Sequence, residues 1–538
     1  MTSTAPAGTV RPPDEGPRTA STAGPGRGWY AAGALLGAAV GAAAGHLVAG
    51  LVSPDASPVL AVGSTVVDLT PTPVKEWAVA RFGTADKPLL IGSVGIVALL
   101  LAAGCGLVAR ARRSLGLALL GALALVSVAA AVARPTSTGV DLLPGLVAAA
   151  VGVATTAWFL GLLDAWGDAD RDPAAGAGAD GMPFTDGRSD RRRVIVAAAG
   201  LGALAATGGA LGRALSRGGS PASVTLPPPA VPLPPPTAGL EATVPGISAL
   251  RTPSSQFYRI DTALVIPRVD PAGWTLTVDG DVDRPFRLTY DELIAMPLVE
   301  RDITLTCVSN EVGGPYVGGA RWLGVLTRDL LERAGVRPGA DQVLSHSTDG
   351  MTISTPVQAL TDDREAIVAV AMNGEPLPTR HGFPARLVTP GLYGFVGATK
   401  WLSRLEATTY AAGRAYWTER GWATDAPILT QSRIDTPRDR ARVSAGDAVV
   451  GGVAWAQHRG IAGVEVRVDD GAWQEATLGP DAGIDHWRQW YLPWPAAPGR
   501  HTLTVRATDG TGAVQEEART EPFPRGATGW HRIVVTAG

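Results

Sequence analysis

The pattern of apolar and polar positions splits the chain into two halves of different texture. Up to about residue 215 it is dominated by Ala, Gly, Leu and Val in long unbroken runs. A hydrocarbon core is crossed by roughly 20 apolar residues. Five runs reach that length, near Trp29–Val52, Pro88–Ala109, Leu115–Ala133, Leu142–Leu163 and Val194–Leu211. Their glycines and alanines suit close helix packing in lipid. Residues 29–215 are therefore predicted as an all-α transmembrane region. Residues 216–238 are Pro-rich and read as an extended polyproline spacer lifting the C-terminal half off the bilayer.

After residue 238 the runs become short and alternating. Trp274–Val282 reads as a strand entering a turn. Thr289-Tyr-Asp-Glu292 is a capping box ahead of a short apolar helix stopped by Pro297. Leu323, Leu326, Leu330 and Leu331 mark one helical face ended by Gly335. Strands are predicted at Glu365–Met372 and Ala385–Val388. Residues 239–425 thus read as an α+β domain. Residues 426–538 carry short alternating strands at Gly463–Gly471, Trp487–Trp494, His501–Gly510 and Trp530–Val535. That spacing predicts an all-β immunoglobulin-like sandwich, here without a core disulfide.

Charge adds orientation. Arg11, Arg18 and Arg27 precede the first run, Arg110, Arg112 and Arg113 separate the second and third, and Arg191, Arg192 and Arg193 precede the fifth. These flanks alternate onto one face, which the positive-inside rule makes cytoplasmic. Residues 1–28 are then expected as a disordered cytoplasmic tail, and everything after the fifth run lies outside, on a multi-pass cell-membrane protein. Ser189–Ile195 is also similar to a twin-arginine export signal, and both readings stay open. The net charge of −3 gives no basic field for nucleic acid.

Candidate chemistry is sparse. Of two cysteines, Cys105 sits in an apolar run and Cys307 is alone in the second half. A leftover thiol in an exported domain is a small buried hydrophobe or a reactive or metal-bound group. His346, His381, His458, His486, His501 and His531 form no two-His metal spacing. His46 alone in the first half cannot ligate a haem from two sides. Arg386 and Lys400 flank a glycine-rich stretch, which suits a phosphorylated ligand or an ordinary surface loop.

Five segments appear in order around that thiol: Leu305-Thr-Cys307-Val-Ser-Asn-Glu-Val-Gly-Gly, Ala320-Arg-Trp-Leu-Gly, Met372-Asn-Gly-Glu-Pro-Leu-Pro, His381-Gly-Phe-Pro-Ala-Arg386 and Tyr393-Gly-Phe-Val-Gly-Ala-Thr-Lys-Trp401. Together the stretch from Gly239 to the C-terminus resembles the sulfite oxidase family of molybdenum enzymes. The resemblance implies a molybdenum-molybdopterin cofactor with Cys307 as its protein metal ligand. Phe257, Tyr258, Ser347, His381, Arg386, Gly397 and Lys400 match pterin-binding positions. It also implies two-electron oxygen-atom transfer, a separate electron-transfer partner because no haem domain is read in the chain, and a homodimer through the sandwich. The pattern departs from sulfite-oxidising members at Asn310-Glu311-Val312, where they carry an Arg, and at Val370, where they carry a Tyr. Glu311 would repel sulfite. Arg321 is then the expected compensating cation at the catalytic centre, and the substrate is either an oxyanion or an S-oxide. A sulfoxide-type reductase and a non-catalytic surface module that has lost the cofactor are the competing readings.

Overall fold

The computed structural model describes residues 25–82, 85–171, 187–217 and 224–538. They fall into two compact units, one within 1–65, 88–133 and 137–218, the other within 66–87, 134–136 and 219–538. Most of the expected tail, residues 1–24, lies outside the described part.

The first unit is helical. Among the described residues five helices are long and apolar enough to cross a membrane: Arg27–Val52, Asp86–Ala111, Arg113–Val132, Gly139–Asp168 and Asp190–Leu215. The helix Arg27–Val52 presents Gly33, Gly37, Gly41 and Gly45 to the helix Leu142–Arg171. A Cβ on Gly37 would stand 2.0 Å from Thr156 Oγ1, and one on Gly41 2.4 Å from Ala148 O. Spacing by four places these glycines on one face, so their small size sets the closeness of the pair. A shorter apolar helix, Pro58–Leu69, was not anticipated by the hydropathy pattern.

The second unit is built from strands. β1 (Thr275–Gly280), β2 (Phe286–Thr289), β3 (Val299–Thr306), β4 (Val317–Leu326), β5 (Gln342–Ser347), β6 (Thr352–Pro356), β7 (Ile367–Met372), β8 (Glu375–Pro376), β9 (Arg386–Val388) and β10 (Leu402–Thr408) form its first part. They make two sheets, ordered β2-β1-β10-β5-β6 and β3-β4-β7-β8 with β9 on β7. Trp274, Leu276, Val278, Val325, Val368, Leu387 and Leu405 meet in one core. The capping box forms as expected: Thr289 Oγ1 accepts the Glu292 N–H at 3.3 Å and Glu292 Oε2 accepts the Thr289 N–H at 2.8 Å. Gly335, at φ 68°, ends the helix Thr327–Ala334.

β11 (Gln431–Thr436), β12 (Arg442–Val443), β13 (Gly446–Trp455), β14 (Ile461–Val468), β15 (Trp473–Glu475), β16 (Thr477–Leu478), β17 (Arg488–Ala496), β18 (Gly499–Asp509) and β19 (His531–Ala537) form the second part. Their sheets, β11-β13-β17-β16 and β12-β19-β18-β14-β15, bury Val450, Val464, Val466, Trp490, Leu503 and Val535 between them. The two parts also share a core, in which Val308, Val317 and Tyr393 pack with Trp455 and Trp487.

The Pro-rich stretch corrects the spacer reading. Its described residues lie along β3: Ala230 N–H donates to Leu298 O at 2.8 Å, and Leu233 N–H to Glu300 Oε2 at 2.9 Å. Val224 and Leu226 pack on the core. Extended backbone without internal hydrogen bonds is free to pair with a neighbouring strand, and apolar residues among the prolines supply the adhesion.

Candidate active site

β3 and β4 pair in antiparallel register down to Thr306 opposite Val317, and the loop between them begins with Cys307. Cys307 N–H donates to Tyr316 O at 2.9 Å, so the loop closes at its base. Asn310 braces it from inside: its N–H reaches Cys307 O at 3.0 Å and its Oδ1 accepts the Tyr316 N–H at 2.7 Å. Gly313, at φ 79°, must be glycine because a Cβ would meet the His531 ring at 2.3 Å. The glycines of this loop serve tight closure and packing.

The thiol is half-buried. Desolvation pushes its pKa up, while hydrogen bonds from Ser309 and the charge of Lys400 pull it down, with a net rise. Tyr258, Tyr316 and Tyr393 surround it closely enough that its charge raises the pKa of each phenol, behind burial as the main cause. All three therefore stay protonated donors at neutral pH. Tyr258 and Tyr316 have ring centroids 6.4 Å apart. Exposed Glu311 adds negative charge beside Tyr316.

Phe257 is the aromatic joint of the site. It stacks on Tyr258 at 5.3 Å and meets Trp322 and His381 edge-on at 5.8 and 5.7 Å. His381 is 1% exposed, and its Nε2 bonds Ser254 O at 2.9 Å. Burial, reinforced by Arg386, lowers its pKa to about 4, so it is neutral. Arg386, on β9, is 5% exposed. Its guanidinium bonds two backbone carbonyls, His381 O at 3.2 Å and Ala398 O at 3.3 Å, while its Nε has no partner. Burial brings its pKa down to about 10. A buried guanidinium with no carboxylate partner is a costly arrangement that an anion would relieve.

Lys400 adds a second buried cation. Its Nζ donates to Asp261 Oδ2 at 2.5 Å, and burial, only partly countered by Asp261, lowers its pKa to about 8. Burial works against the charge of Asp261, but Lys400, Lys87 and Arg259 together hold its carboxyl well below the usual range. Ser347 ends β5 in register with Leu402, two residues beyond Lys400, and its N–H bonds Met351 O at 2.8 Å. Gly397 packs inward: a Cβ there would stand 2.7 Å from Thr389 Cβ, so the protein's own packing already demands glycine.

Arg321 does not join the site. It lies on β4 opposite Asp302, five residues along β3 from Cys307, and its Nε and Nη2 bond the Asp302 carboxylate at 3.1 and 2.8 Å. Arg251 shares the same carboxylate at 2.8 Å. Strand residues of the same sheet that are five apart are separated by about 16 Å, which is why a motif neighbour in sequence is no neighbour of the thiol. The structure brings together Phe257, Tyr258, Cys307, His381, Arg386 and Lys400. Sequence reasoning missed Tyr316, Tyr393, Ser309, Arg259 and Asp261. Tyr393 opens the Tyr393–Trp401 motif, whereas Asp261 carries no local signal. Among the described residues no group of three or more His, Cys, Asp or Glu is placed to hold a metal by itself.

Arg386 with its orphaned Nε and Lys400 with its depressed pKa fit the phosphate end of a pterin cofactor, and half-buried Cys307 fits a single protein bond to the metal it carries. Comparison with known proteins points to the same class of cofactor. A family model described as oxidoreductase molybdopterin binding domain matches residues 263–417. Mitochondrial sulfite oxidase of Homo sapiens is 30% identical over 325 residues, covering 51% of this chain and 59% of that protein. The Mus musculus enzyme is 29% identical with the same coverage. The chain thus spans 59% of the length of these two relatives. An uncharacterized oxidoreductase of Bacillus subtilis (strain 168), YuiH, is 36% identical over 139 residues, 26% of this chain and 67% of that one. Among solved structures, the sulfane dehydrogenase SoxCD from Paracoccus pantotrophus aligns with 52% of this chain and 80% of its own, at 23% identity and a TM-score of 0.47.

Proposed function

The chain belongs to the sulfite oxidase family of molybdopterin-binding oxidoreductases, and on that footing we propose that it performs two-electron oxygen-atom transfer on a small sulfur oxide outside the cytoplasm. Bound molybdenum-molybdopterin supplies the redox change and the oxygen exchange. The chain's own residues hold and shape. Cys307 would hold the metal as a thiolate; burial raises its pKa, so the thiolate would need a bound cation's charge to be favoured. Ser309 supports the sulfur by hydrogen bonding. Arg386 and Lys400 would neutralise the phosphate, and neutral His381 with Phe257 and Tyr258 would back the pterin side of the site. Ser347 and Gly397 act at one remove, by shaping the turns that carry Lys400.

The observation that carries this reading is the buried, carboxylate-free Arg386, which shares Tyr258 as a neighbour with the half-buried Cys307 thiol. A neutral S-oxide is the favoured substrate. With Arg321 engaged by Asp302, the groups facing Cys307 are phenols and Lys400, while Glu311 adds a repelling charge. Phenol donors suit a polar neutral oxygen.

Five helices of membrane-crossing length support anchoring. The arginine flanks support a cytoplasmic N-terminus and an exported second unit. Electrons then pass between the site and a separate carrier, and the two-sheet sandwich, in the immunoglobulin-like manner, serves as a dimer contact. Purified chain tested with a reduced dye and a sulfoxide should turn over faster than with sulfite and an oxidising dye. Rapid sulfite oxidation without sulfoxide reduction would overturn the substrate assignment. Turnover of neither by metal-loaded protein would overturn oxygen-atom transfer itself.

A further inference from the structure

Three cations converge on one carboxylate next to the candidate site. Lys400 Nζ lies 2.5 Å from Asp261 Oδ2, Arg259 spans both oxygens at 2.8 and 3.0 Å, and Lys87 Nζ lies 2.5 Å from Oδ1. Lys87 also donates to Ala263 O at 2.8 Å. The group is largely closed off from water: side-chain exposure is 6% for Asp261, 11% for Lys400 and 21% for Lys87 and Arg259.

Charge does not balance within it. Three positive groups against one carboxylate leave a surplus of two, which Asp86, acting weakly on Lys87, offsets only in part. Arg386 adds to the surplus. A Cβ on Gly382 would stand 3.1 Å from both Arg386 Cβ and Lys400 Cα, so the two stems flank a single glycine. A phosphate monoester carries about −1.5 to −2 at neutral pH, which matches the excess. Lys400 and Arg386 were visible in the motif. Lys87 was not, because it stands in the first turn of the membrane-length helix Asp86–Ala111, although it belongs to the second compact unit.

We propose that Lys87 is part of the cofactor site: with Lys400 and Arg259 it holds the phosphate monoester of the pterin, and Asp261 is the hub that positions all three cations. This rests on the functional reading of Arg386, Lys400 and Cys307 as a pterin and metal site. A module that began after the last long helix would lack one of the three.

The full-length chain in detergent, produced in a host that makes molybdopterin, tests this. Wild type, Lys87→Met, Lys87→Gln and Lys87→Arg are dialysed at length, and molybdenum and oxidised-pterin fluorescence are measured per chain. Lys87→Met and Lys87→Gln should each retain several-fold less cofactor, and Lys87→Arg close to the wild-type amount. Lys87→Gln keeps a donor for Ala263 O, so equal loss in both neutral variants separates lost charge from a lost structural bond, and circular dichroism melts confirm that each variant is folded. Wild-type retention in both neutral variants, or loss in Lys87→Arg as large as theirs, overturns the proposal alone. A wild-type chain with no cofactor overturns the functional reading and this proposal with it.

Discussion

Arg386 places its guanidinium carbon 5.1 Å from the centre of the Trp322 ring. Among the described residues it has no carboxylate ion pair, and its nearest polar partners are two backbone carbonyls. A cation–π contact of this kind contributes on the order of 1–2 kcal/mol when desolvated, well short of the cost of burying a full charge. The protein therefore keeps an unneutralised cation ready for an anion.

Arg386→Met should accordingly separate folding from loading. In cofactor-free protein the stability should stay within about 1 kcal/mol of wild type or rise, because a buried charge is removed while two carbonyls lose donors. Cofactor content after purification should fall several-fold. Denaturant unfolding and metal analysis on the same preparations check both. A large loss of stability in the cofactor-free form would show that Arg386 is structural.

Arg321→Ala should do the opposite. Asp302, with its side chain 6% exposed, would keep only Arg251, so stability should drop by about 1–3 kcal/mol. The KM for substrate should not change, since Arg321 stands apart from Cys307. A raised KM with unchanged stability would return Arg321 to the site.

Much of this was legible in the sequence, and the division has a physical basis. Five apolar runs, the Thr289 capping box and the Gly335 stop each depend on residues within one turn or one run, so pattern alone finds them. Cys307, Arg386 and Lys400 were named from motif order, and the fold gathers them around Tyr258 and Asp261. Motif order could not show what the strands impose on Arg321: the β3–β4 pairing sets it against Asp302. The Pro-rich stretch failed because composition reports backbone preference and not the strand that lies beside it. Asp261 and Lys87 were invisible because their meaning depends on a contact between positions 174 apart in the chain.

Acid should loosen the second unit through buried neutral histidines. His486 is 3% exposed, its Nε2 bonds Leu250 O at 2.8 Å, and burial lowers its pKa to about 4. His531 is lowered to about 4 as well, by burial and by Arg433. A folded pKa below the unfolded one means the unfolded chain takes up protons first as pH falls. The stability these residues contribute is complete above about pH 6.5 and is lost progressively toward pH 4. For His486 the full loss is on the order of 3 kcal/mol. His486→Gln, which keeps a side-chain donor for Leu250 O, should flatten the fall in unfolding free energy between pH 7 and pH 5. An unchanged slope would exclude His486 as a source.

Cys307 is the proposed protein ligand of the molybdenum of a bound molybdopterin. The most direct measurement is metal and pterin content, with the sulfur-to-metal absorption band, of wild-type and Cys307→Ser full-length protein from a host that makes the cofactor. Wild-type chain should carry close to one molybdenum and one pterin, and Cys307→Ser should lose the sulfur-to-metal band together with turnover. Wild-type protein free of molybdenum, or Cys307→Ser protein with an unchanged band and full turnover, would contradict that assignment.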